Sequence, residues 1–291
     1  MIRPIGILAG LAFTFVVALA FVSGLWTFLS EETEPTVEHE FHMEPRHVAF
    51  QHDGAFGTWD NQQLQRGYQV YKEVCSACHS LKLVAFRNLA ELGYTEAEVK
   101  AEAASWRVPG VDPVTGEAST RPGTATDYFP SPYPNDVAAA AANNNAVPPD
   151  LSLMAKSRHD GTNYVHSLLT GYRDPQTFAV DNVLLREEFP QFETPPGLHF
   201  NPWFPNMNLA MPAPLVTDGQ VTYADGTQAT IEQMSTDVSA FLTWTAEPTL
   251  VKRRQTGWPV LGFLLFATVL AWFAKKQVWA PVKPHKAKKQ A

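Results

Sequence analysis

Two long apolar segments, one near each end, constrain how this 291-residue chain can fold. The first runs from Ile5 to Leu29 without a charged residue, and the second runs from Gly257 to Ala274 between basic clusters. A helix crosses the bilayer core with about 20 apolar residues. Trp258 and Trp272 lie near the edges of the second segment, where membrane helices collect aromatic residues. We therefore predict a transmembrane helix at 257–274 rather than a buried core helix, because the flanking fixed charges oppose burial.

The first segment fits either a signal peptide or a retained anchor. It is longer than a typical signal core of about 7 to 15 residues, and no clear small-residue cleavage pattern ends it. We therefore expect retention, with cleavage as the alternative.

Basic residues after the second segment predict the orientation of the chain. Lysines occur at 275, 276, 283, 286, 288 and 289, which places the C-terminus on the cytoplasmic side by the positive-inside tendency. Lys252, Arg253 and Arg254 on the other flank weaken this prediction without reversing it. The part of the chain between the apolar segments is then expected in the periplasm, or in the mitochondrial intermembrane space.

The region between the apolar segments is predicted to hold an acidic linker at 31–49 and one mainly α domain at 50–250, followed after the second helix by a basic tail at 275–291. The net charge of −7 argues against a nucleic-acid-binding protein. Prolines cluster in 109–149 and 190–214, which predicts long loops. Loops of this length are unusual unless a large ligand organises them.

Local patterns predict a few elements in this domain. A helix capped by Asp60 or Asn61 leads into the two cysteines, and a second helix starts after Thr230 with an apolar stripe that includes Met234. A third is expected at Thr162 to Thr170, and a helical turn in the alanine run 138–142. A short hairpin is expected to turn at Asp225-Gly226.

The only two cysteines of the chain, Cys75 and Cys78, are followed at once by His79. This Cys-x-x-Cys-His pattern is typical of c-type haem attachment. Two thiols three positions apart can each add to a haem vinyl group, and the adjoining imidazole can then ligate the iron. Covalent attachment and one axial ligand would thus come from five residues.

Three other uses of these residues are less well supported by the sequence. Zinc needs four ligands, and no second Cys-x-x-Cys supplies the fourth. A thioredoxin-like redox pair belongs with a βαβ pattern that is missing here. A Cys75–Cys78 disulfide would close a very small loop and stabilise little.

The second axial ligand of such a haem is usually a methionine, which raises the reduction potential. The candidates are Met43, Met154, Met207, Met211 and Met234. Met234 is expected in the core, and Met43 precedes the domain. Met207 and Met211 lie in a Pro-rich loop, where Met211 is favoured and Met207 stays open.

Most other histidines are expected to have no functional role. Four of them, His39, His42, His47 and His52, fall in the charged region before the domain and are expected to be solvated. Arg158, next to His159, could contact a haem propionate, with a plain surface arginine as the alternative.

Four segments in order resemble the cytochrome c1 family of the bc1 complex. They are RGYQVYKEVCSACHSLKLVAFRNL, NNNAVPPDLSLMAKSRHDGTNYVHSLLTGY, NPWFPNMNLAMPAPL and YADGTQATIEQMSTDVSAFLTWTAEP. The resemblance runs from about Phe50 to the C-terminus. It implies a cytochrome c-like haem domain with long irregular loops, anchored by a C-terminal transmembrane helix and, if the first segment is retained, by an N-terminal one.

The resemblance also implies roles for individual residues. Cys75 and Cys78 would carry one haem c, with His79 as the proximal and Met211 as the distal iron ligand. Arg158 and Asn143 would approach a propionate, and Pro149 would pack near the haem. Some bacterial members have an extra disulfide, but this sequence has no cysteines left for one. The segment from Arg173 to Phe200 is therefore expected to be held by packing alone.

The function implied by the resemblance is a one-electron relay. The haem would accept an electron from the Rieske iron–sulfur protein and reduce a soluble or tethered c-type cytochrome, within a dimeric complex that also contains cytochrome b. Acidic stretches at Glu31 to Glu44, Glu91 to Glu102 and Glu187-Glu188 would attract a basic partner. The alternatives are a monohaem cytochrome of a terminal oxidase, an independent shuttle, a haem-based sensor and a structural zinc module.

Overall fold

The computed structural model of the protein describes residues 2–30 and 36–282. The chain divides into two compact units, Met1–Phe41 and His42–Ala291. The first contains helices α1 (Ile2–Ser30) and α2 (Val37–Phe41). The second contains α3 (Asn61–Glu73), α4 (Glu96–Ser105), α5 (Asp136–Ala142), α6 (Met154–Ser157), α7 (Gly161–Leu169), α8 (Leu185–Glu188), α9 (Ile231–Ala246) and α10 (Leu250–Trp279). The prediction of a mainly α fold is confirmed.

Three short antiparallel hairpins complete the second unit. They are formed by β1 (Arg107–Val111) with β2 (Ala118–Pro122), β3 (Ala179–Val180) with β4 (Val183–Leu184), and β5 (His199–Phe200) with β6 (Asn208–Leu209). In the longest, Arg107 pairs with Pro122 and Val111 with Ala118. Each sheet has two strands, so the sheets decorate the helical core and do not form it.

The core of the second unit is built on the packing of α3 against α9, and α6 and α7 also pack against α9. The closest approach is at Gly67, where an added Cβ would lie 2.1 Å from Asp237 O. Below this crossing the aromatic side chains of Tyr71, Phe129 and Phe241 meet with ring centroids about 6 Å apart, which is a favourable distance for aromatic pairs. The helix that leads into the cysteines is therefore fixed by close packing against α9 and by these aromatic contacts.

The predicted helix starts are correct. The Asp60 carboxylate accepts from the backbone N–H groups of Gln62 and Gln63, and the Thr230 hydroxyl accepts from Gln233 N. These contacts satisfy amide groups that have no partner within their own helix. The stripe residue Met234 is fully buried, as expected.

Two loop predictions differ from the structure. The turn at Asp225-Gly226 is present, but residues 221–229 form no strands, because their polar groups bond to α3: Thr222 O accepts from the Gln69 side chain. Conversely, β1 and β2 lie in a region predicted as loop. The prolines in this region led to the prediction of a loop. The turn of the hairpin is held by the Asp112 carboxylate, which accepts hydrogen bonds from two backbone N–H groups.

The stretch predicted as an acidic linker is attached to the domain in its second half. Arg46 N donates to Ser167 Oγ at 2.8 Å, and Val48 N donates to Asn163 Oδ1 at 2.9 Å. The expectation that His52 is solvated is wrong, since its side chain is only 4% exposed. It is buried because its ring packs between Phe50 and Trp59.

Two helices are long and apolar enough to cross a membrane, namely Pro4–Ser30 within α1 and Leu250–Trp279. The second is longer than the predicted segment 257–274 at both ends, because the helix begins at Leu250, before the basic cluster, and continues through Lys275 and Lys276 to Trp279. The lysines at 283, 286, 288 and 289 and the acidic residues at 31, 32 and 34 lie outside the described residues.

The segment from Arg173 to Phe200 is held by side-chain packing. Phe178 and Phe192 both make edge contacts with Phe200, at 5.3 and 5.7 Å between ring centroids. Both cysteines of the chain are free, so packing takes the place of a disulfide here.

Candidate haem-attachment site

The end of α3 places both cysteines and the histidine in a single turn. After Glu73 the helix tightens into a 3₁₀ turn at Cys75–Ala77. The backbone N–H groups of Cys78 and His79 both donate to Cys75 O, at 3.1 and 2.9 Å. Two thiols and an imidazole are thus held together by backbone hydrogen bonds, at the end of a helix that packs in the core.

The thiol of Cys75 is suited to remain protonated. Burial, with a smaller contribution from Cys78, raises the pKa of Cys75 to about 12. Zinc binding and thiol–disulfide exchange both need the thiolate. In the described ranges 2–30 and 36–282, no group of three or more His, Cys, Asp or Glu side chains is arranged to hold a metal ion.

The imidazole of His79 is held in the form that an iron ligand requires. Its Nδ1 donates to Pro149 O at 2.8 Å, which leaves the lone pair on Nε2 free. Burial lowers the pKa of His79, although the bond to Pro149 opposes this. The ring is therefore neutral at physiological pH, with one nitrogen able to bind a metal.

A network of hydrogen bonds joins the segment after His79 to the segment that contains Pro149. The Asp150 carboxylate accepts from Ser80 Oγ at 2.7 Å and from Lys82 N at 2.8 Å, and Leu151 N donates to Ser80 O at 2.9 Å. Burial would raise the pKa of Asp150, but hydrogen bonds from Ser152, Lys82 and Ser80 outweigh it and lower the pKa. An ionised Asp150 therefore helps to keep Pro149 O within hydrogen-bond distance of His79 Nδ1.

Met211 and Met207, the two candidate iron ligands in the Pro-rich loop, differ in burial. Its side chain is partly buried against the same hydrophobic core that Cys75 borders. Met207, by contrast, is fully buried, at a backbone position with φ of 57°. The Tyr172 hydroxyl donates to Met211 O at 2.9 Å and so fixes the backbone of this residue. Of the two, Met211 is the one whose thioether is at the margin of the core.

The remaining predicted residues are less closely connected. Pro149 contacts His79 directly, as given above. Arg158 is exposed, and its guanidinium donates to Ser157 O. Asn143 caps the end of α5, where its side-chain amide donates to Ala139 O at 2.7 Å. Contacts of Arg158 and Asn143 with a propionate stay predictions.

Three tyrosines contact the residues of the site, and the sequence pattern did not predict this role for them. Tyr71 donates its hydroxyl to His79 O at 3.2 Å, Tyr172 contacts Met211, and the Tyr133 hydroxyl lies 3.9 Å from Cys78 Sγ. Tyr71 could have been found, because it is one helical turn before Cys75. The other two are distant in sequence from the residues that they contact.

These groups fit a haem c: two free thiols in one turn, a histidine with an open Nε2, and a thioether at the edge of the shared core. The class of protein is thus a c-type cytochrome with apolar helices long enough to cross a membrane. The model of the Cytochrome C1 family matches residues 50–282, and the chain belongs to that family, whose members carry a covalently bound haem c.

Individual relatives agree with this result. Cytochrome c1 from Rhodospirillum rubrum is 46% identical over 235 residues, which cover 79% of this chain and 85% of the relative. "Cytochrome c1-2, heme protein, mitochondrial" from Solanum tuberosum is 43% identical over 265 residues, which cover 91% of this chain and 96% of the relative. The Saccharomyces cerevisiae protein "Cytochrome c1, heme protein, mitochondrial" is 42% identical over 258 residues, 89% and 79% of the two chains.

Proposed function

We propose that this chain is the haem subunit of a respiratory bc1 complex, in which it accepts one electron from the Rieske iron–sulfur protein and passes it to a soluble or membrane-tethered c-type cytochrome. The observation that carries the proposal is the fixed tautomer of His79, whose Nδ1 bond to Pro149 leaves Nε2 as an iron ligand beside two free thiols. Family membership supports the bc1 complex as the context.

A haem c held here supplies a reversible one-electron iron couple. The chain's own residues would provide the attachment and the ligands: Cys75 and Cys78 would tether it, and His79 Nε2 and the Met211 thioether would ligate the iron. A methionine–histidine pair favours a high reduction potential. No side chain needs to transfer a proton, so the subunit acts as an electron carrier within a quinol:cytochrome c reductase.

The assembly and its location belong to the same proposal. Cytochrome b and the Rieske protein would be its neighbours in a dimeric complex in the bacterial inner membrane, with α10 as the anchor. The haem domain would face the periplasm, or the intermembrane space in a mitochondrion. Lys275 and Lys276, at the far end of α10, support this orientation.

Docking of a basic cytochrome would use acidic side chains that remain exposed. Glu91, Glu187 and Glu188 are exposed, whereas Glu102 is bound internally by Lys72 and by the Tyr68 hydroxyl. The predicted acidic stretch 91–102 is therefore partly used within the domain. Complementary charge speeds encounter and is screened by salt. Electron transfer to the acceptor cytochrome should slow as ionic strength rises, and a rate independent of salt would reject this docking mode.

The experiment that tests the iron ligands compares Met211→Leu with Met154→Leu. Met154 is a suitable control because it is another partly buried methionine packed on the same core. Reduced-minus-oxidised spectra of both variants and the wild type should show a c-type signal, since Cys75 and Cys78 are unchanged. The midpoint potential should fall sharply in Met211→Leu alone. An unchanged potential in that variant would show that another residue ligates the iron.

A further inference from the structure

A short loop before α3 presents an exposed aromatic side chain. Residues 51–58 form this loop, which is closed by the bond from Thr58 N to Gln51 O at 3.0 Å. Gly57 permits a tight return of the chain, since a Cβ there would lie 2.4 Å from Asp53 O. Phe56 sits within the loop with 83% of its surface exposed. A single exposed apolar side chain is common on protein surfaces, so the surroundings of Phe56 decide whether it marks a contact.

The base of the 51–58 loop is fixed to the domain and to the start of α10. The buried ring of His52 lies between Phe50 and Trp59, at centroid distances of 5.2 and 4.7 Å. Its carbonyl oxygen accepts from Arg254 Nη1 at 2.6 Å. The position of the loop relative to α10 is therefore set by packing on one side and a charge-assisted hydrogen bond on the other.

Phe56 reaches the first apolar turn of α10. Its ring stacks on Trp258 with centroids 5.5 Å apart and an angle of 13° between planes, and Trp258 itself is 49% exposed. The apolar part of α10, from Gly257 to Ala274, extends about 26 Å at 1.5 Å per residue. This length is close to the hydrocarbon core of about 30 Å. Trp258 is thus at the expected level of the membrane interface, and so is Phe56.

The helix turns before Trp258 carry positive charge at the same end of the span. Arg253 pairs with Glu247 at 2.9 Å, and Arg254 holds the loop as described. Among the residues that the structure describes, Lys252 has no ion-pair partner and is exposed. The Asp53 carboxylate, in the same loop as Phe56, accepts a hydrogen bond from Phe50 N at 2.8 Å. Within the described part of the chain, the helix turns before the stacked pair therefore add one exposed cation without an ion-pair partner, Lys252, to the apolar rings, and this combination suits phospholipid headgroups.

We propose that the 51–58 loop is a second membrane contact of the haem domain, in which Phe56 enters the interfacial layer of the bilayer beside Trp258. The inference rests on the proposed function, in that α10 must span the membrane. Such a contact would restrict rotation of the domain about α10 and so set the face that it turns to its redox partners.

A spin label at position 56 tests the contact. Both native thiols are used by the haem in the proposed function, so F56C supplies a single reactive thiol in the haem-loaded, full-length protein. The labelled protein is placed in phospholipid nanodiscs with an anionic lipid fraction. Collision of the label with oxygen, which concentrates in lipid, is compared with collision with a water-soluble nickel complex. We expect the oxygen-to-nickel ratio at position 56 to be several-fold higher than at V114C, a position with 91% exposure in the turn between β1 and β2.

A third label at V269C reports on the anchor itself, because Val269 is in the middle of the apolar part of α10. Lipid exposure at both 269 and 56 supports the proposal. Lipid exposure at 269 with water exposure at 56 overturns the loop contact and leaves the anchor intact. Water exposure at 269 overturns the anchor and the loop contact with it. A label at 56 that neither reagent reaches in the assembled complex shows that a protein subunit covers Phe56, and this also overturns the lipid contact.

Discussion

Replacing Gly67 by alanine should push apart the two helices on which the haem domain is built. The added Cβ would lie 2.1 Å from Asp237 O, and 2.7 Å from Phe241 Cβ, on α9. An ordinary contact is at least about 3.4 Å, so α3 and α9 would have to separate by more than 1 Å. The nearest atom is a helix carbonyl oxygen, which cannot rotate away as a side chain could.

The expected cost follows from two opposing effects. Overpacking a closely packed core typically costs about 1–3 kcal/mol, and the short distance to backbone places this case near the upper value. Alanine recovers about 1 kcal/mol through its higher helix propensity. The net loss in the free energy of unfolding should be about 2 kcal/mol. For a domain of this size it lowers the melting temperature by about 4–8 °C.

Thermal denaturation followed by the haem absorption of the full-length protein measures this change. Gly257→Ala is the matched control, because Gly257 is also helical but an added Cβ there meets no atom within 4 Å. The control should melt at the wild-type temperature or slightly above. A Gly67→Ala variant as stable as the control would refute the close helix crossing, and with it the view that this crossing fixes the position of the cysteine turn.

Two further predictions concern the position of Met211 and the titration of His52. Tyr172→Phe removes the hydroxyl that donates to Met211 O, and the lost bond is worth about 1 kcal/mol. The midpoint potential and the intensity of the red absorption band of methionine-ligated ferric haem should therefore both decrease. Unchanged values would show that this bond does not position the thioether. His52 has its pKa lowered from 6.5 by burial, and Arg254 adds to this while Asp53 opposes it. Below pH 6.5 the unfolded chain therefore binds a proton at His52 that the folded chain does not bind. As the pH decreases, the free energy of unfolding decreases by at most about 1.4 kcal/mol per pH unit for this group. His52→Phe keeps the aromatic packing without the titration, so its stability should decline less than that of the wild type between pH 7 and pH 5 in denaturant titrations; equal slopes would contradict the role of His52.

Much of the site could be predicted because its signals are local in the sequence. The Cys-x-x-Cys-His spacing places three groups in one turn whatever surrounds it. Likewise, the caps at Asp60 and Thr230 act on residues two or three positions away. The resemblance to the cytochrome c1 family, which the family match confirms, carried the choice of Met211 over Met207. The structure adds a reason that favours Met211, since Met207 is fully buried while Met211 borders the core.

Other features could not be predicted because they depend on pairs of residues far apart in the chain. His52 looked solvated beside charged residues, and only its contacts with Phe50, Trp59 and the carbonyl bond to Arg254 explain its burial. The hairpin of β1 and β2 was hidden by prolines that an edge pair of strands tolerates. In these cases the neighbours that decide the conformation are absent from the local pattern.

The amino-acid sequence by itself determined which chemical groups this protein brings to its cofactor and which segments can enter a membrane, because both depend on residue type and spacing over a single turn or a single helix. The tertiary structure alone decided how those groups are oriented. The tautomer of His79 depends on Pro149 O, 70 positions away, and the backbone at Met211 depends on Tyr172, 39 positions away. Contacts at such separations form only when the whole domain packs, because the hydrophobic burial of the core offsets the entropy of closing the long loops between them.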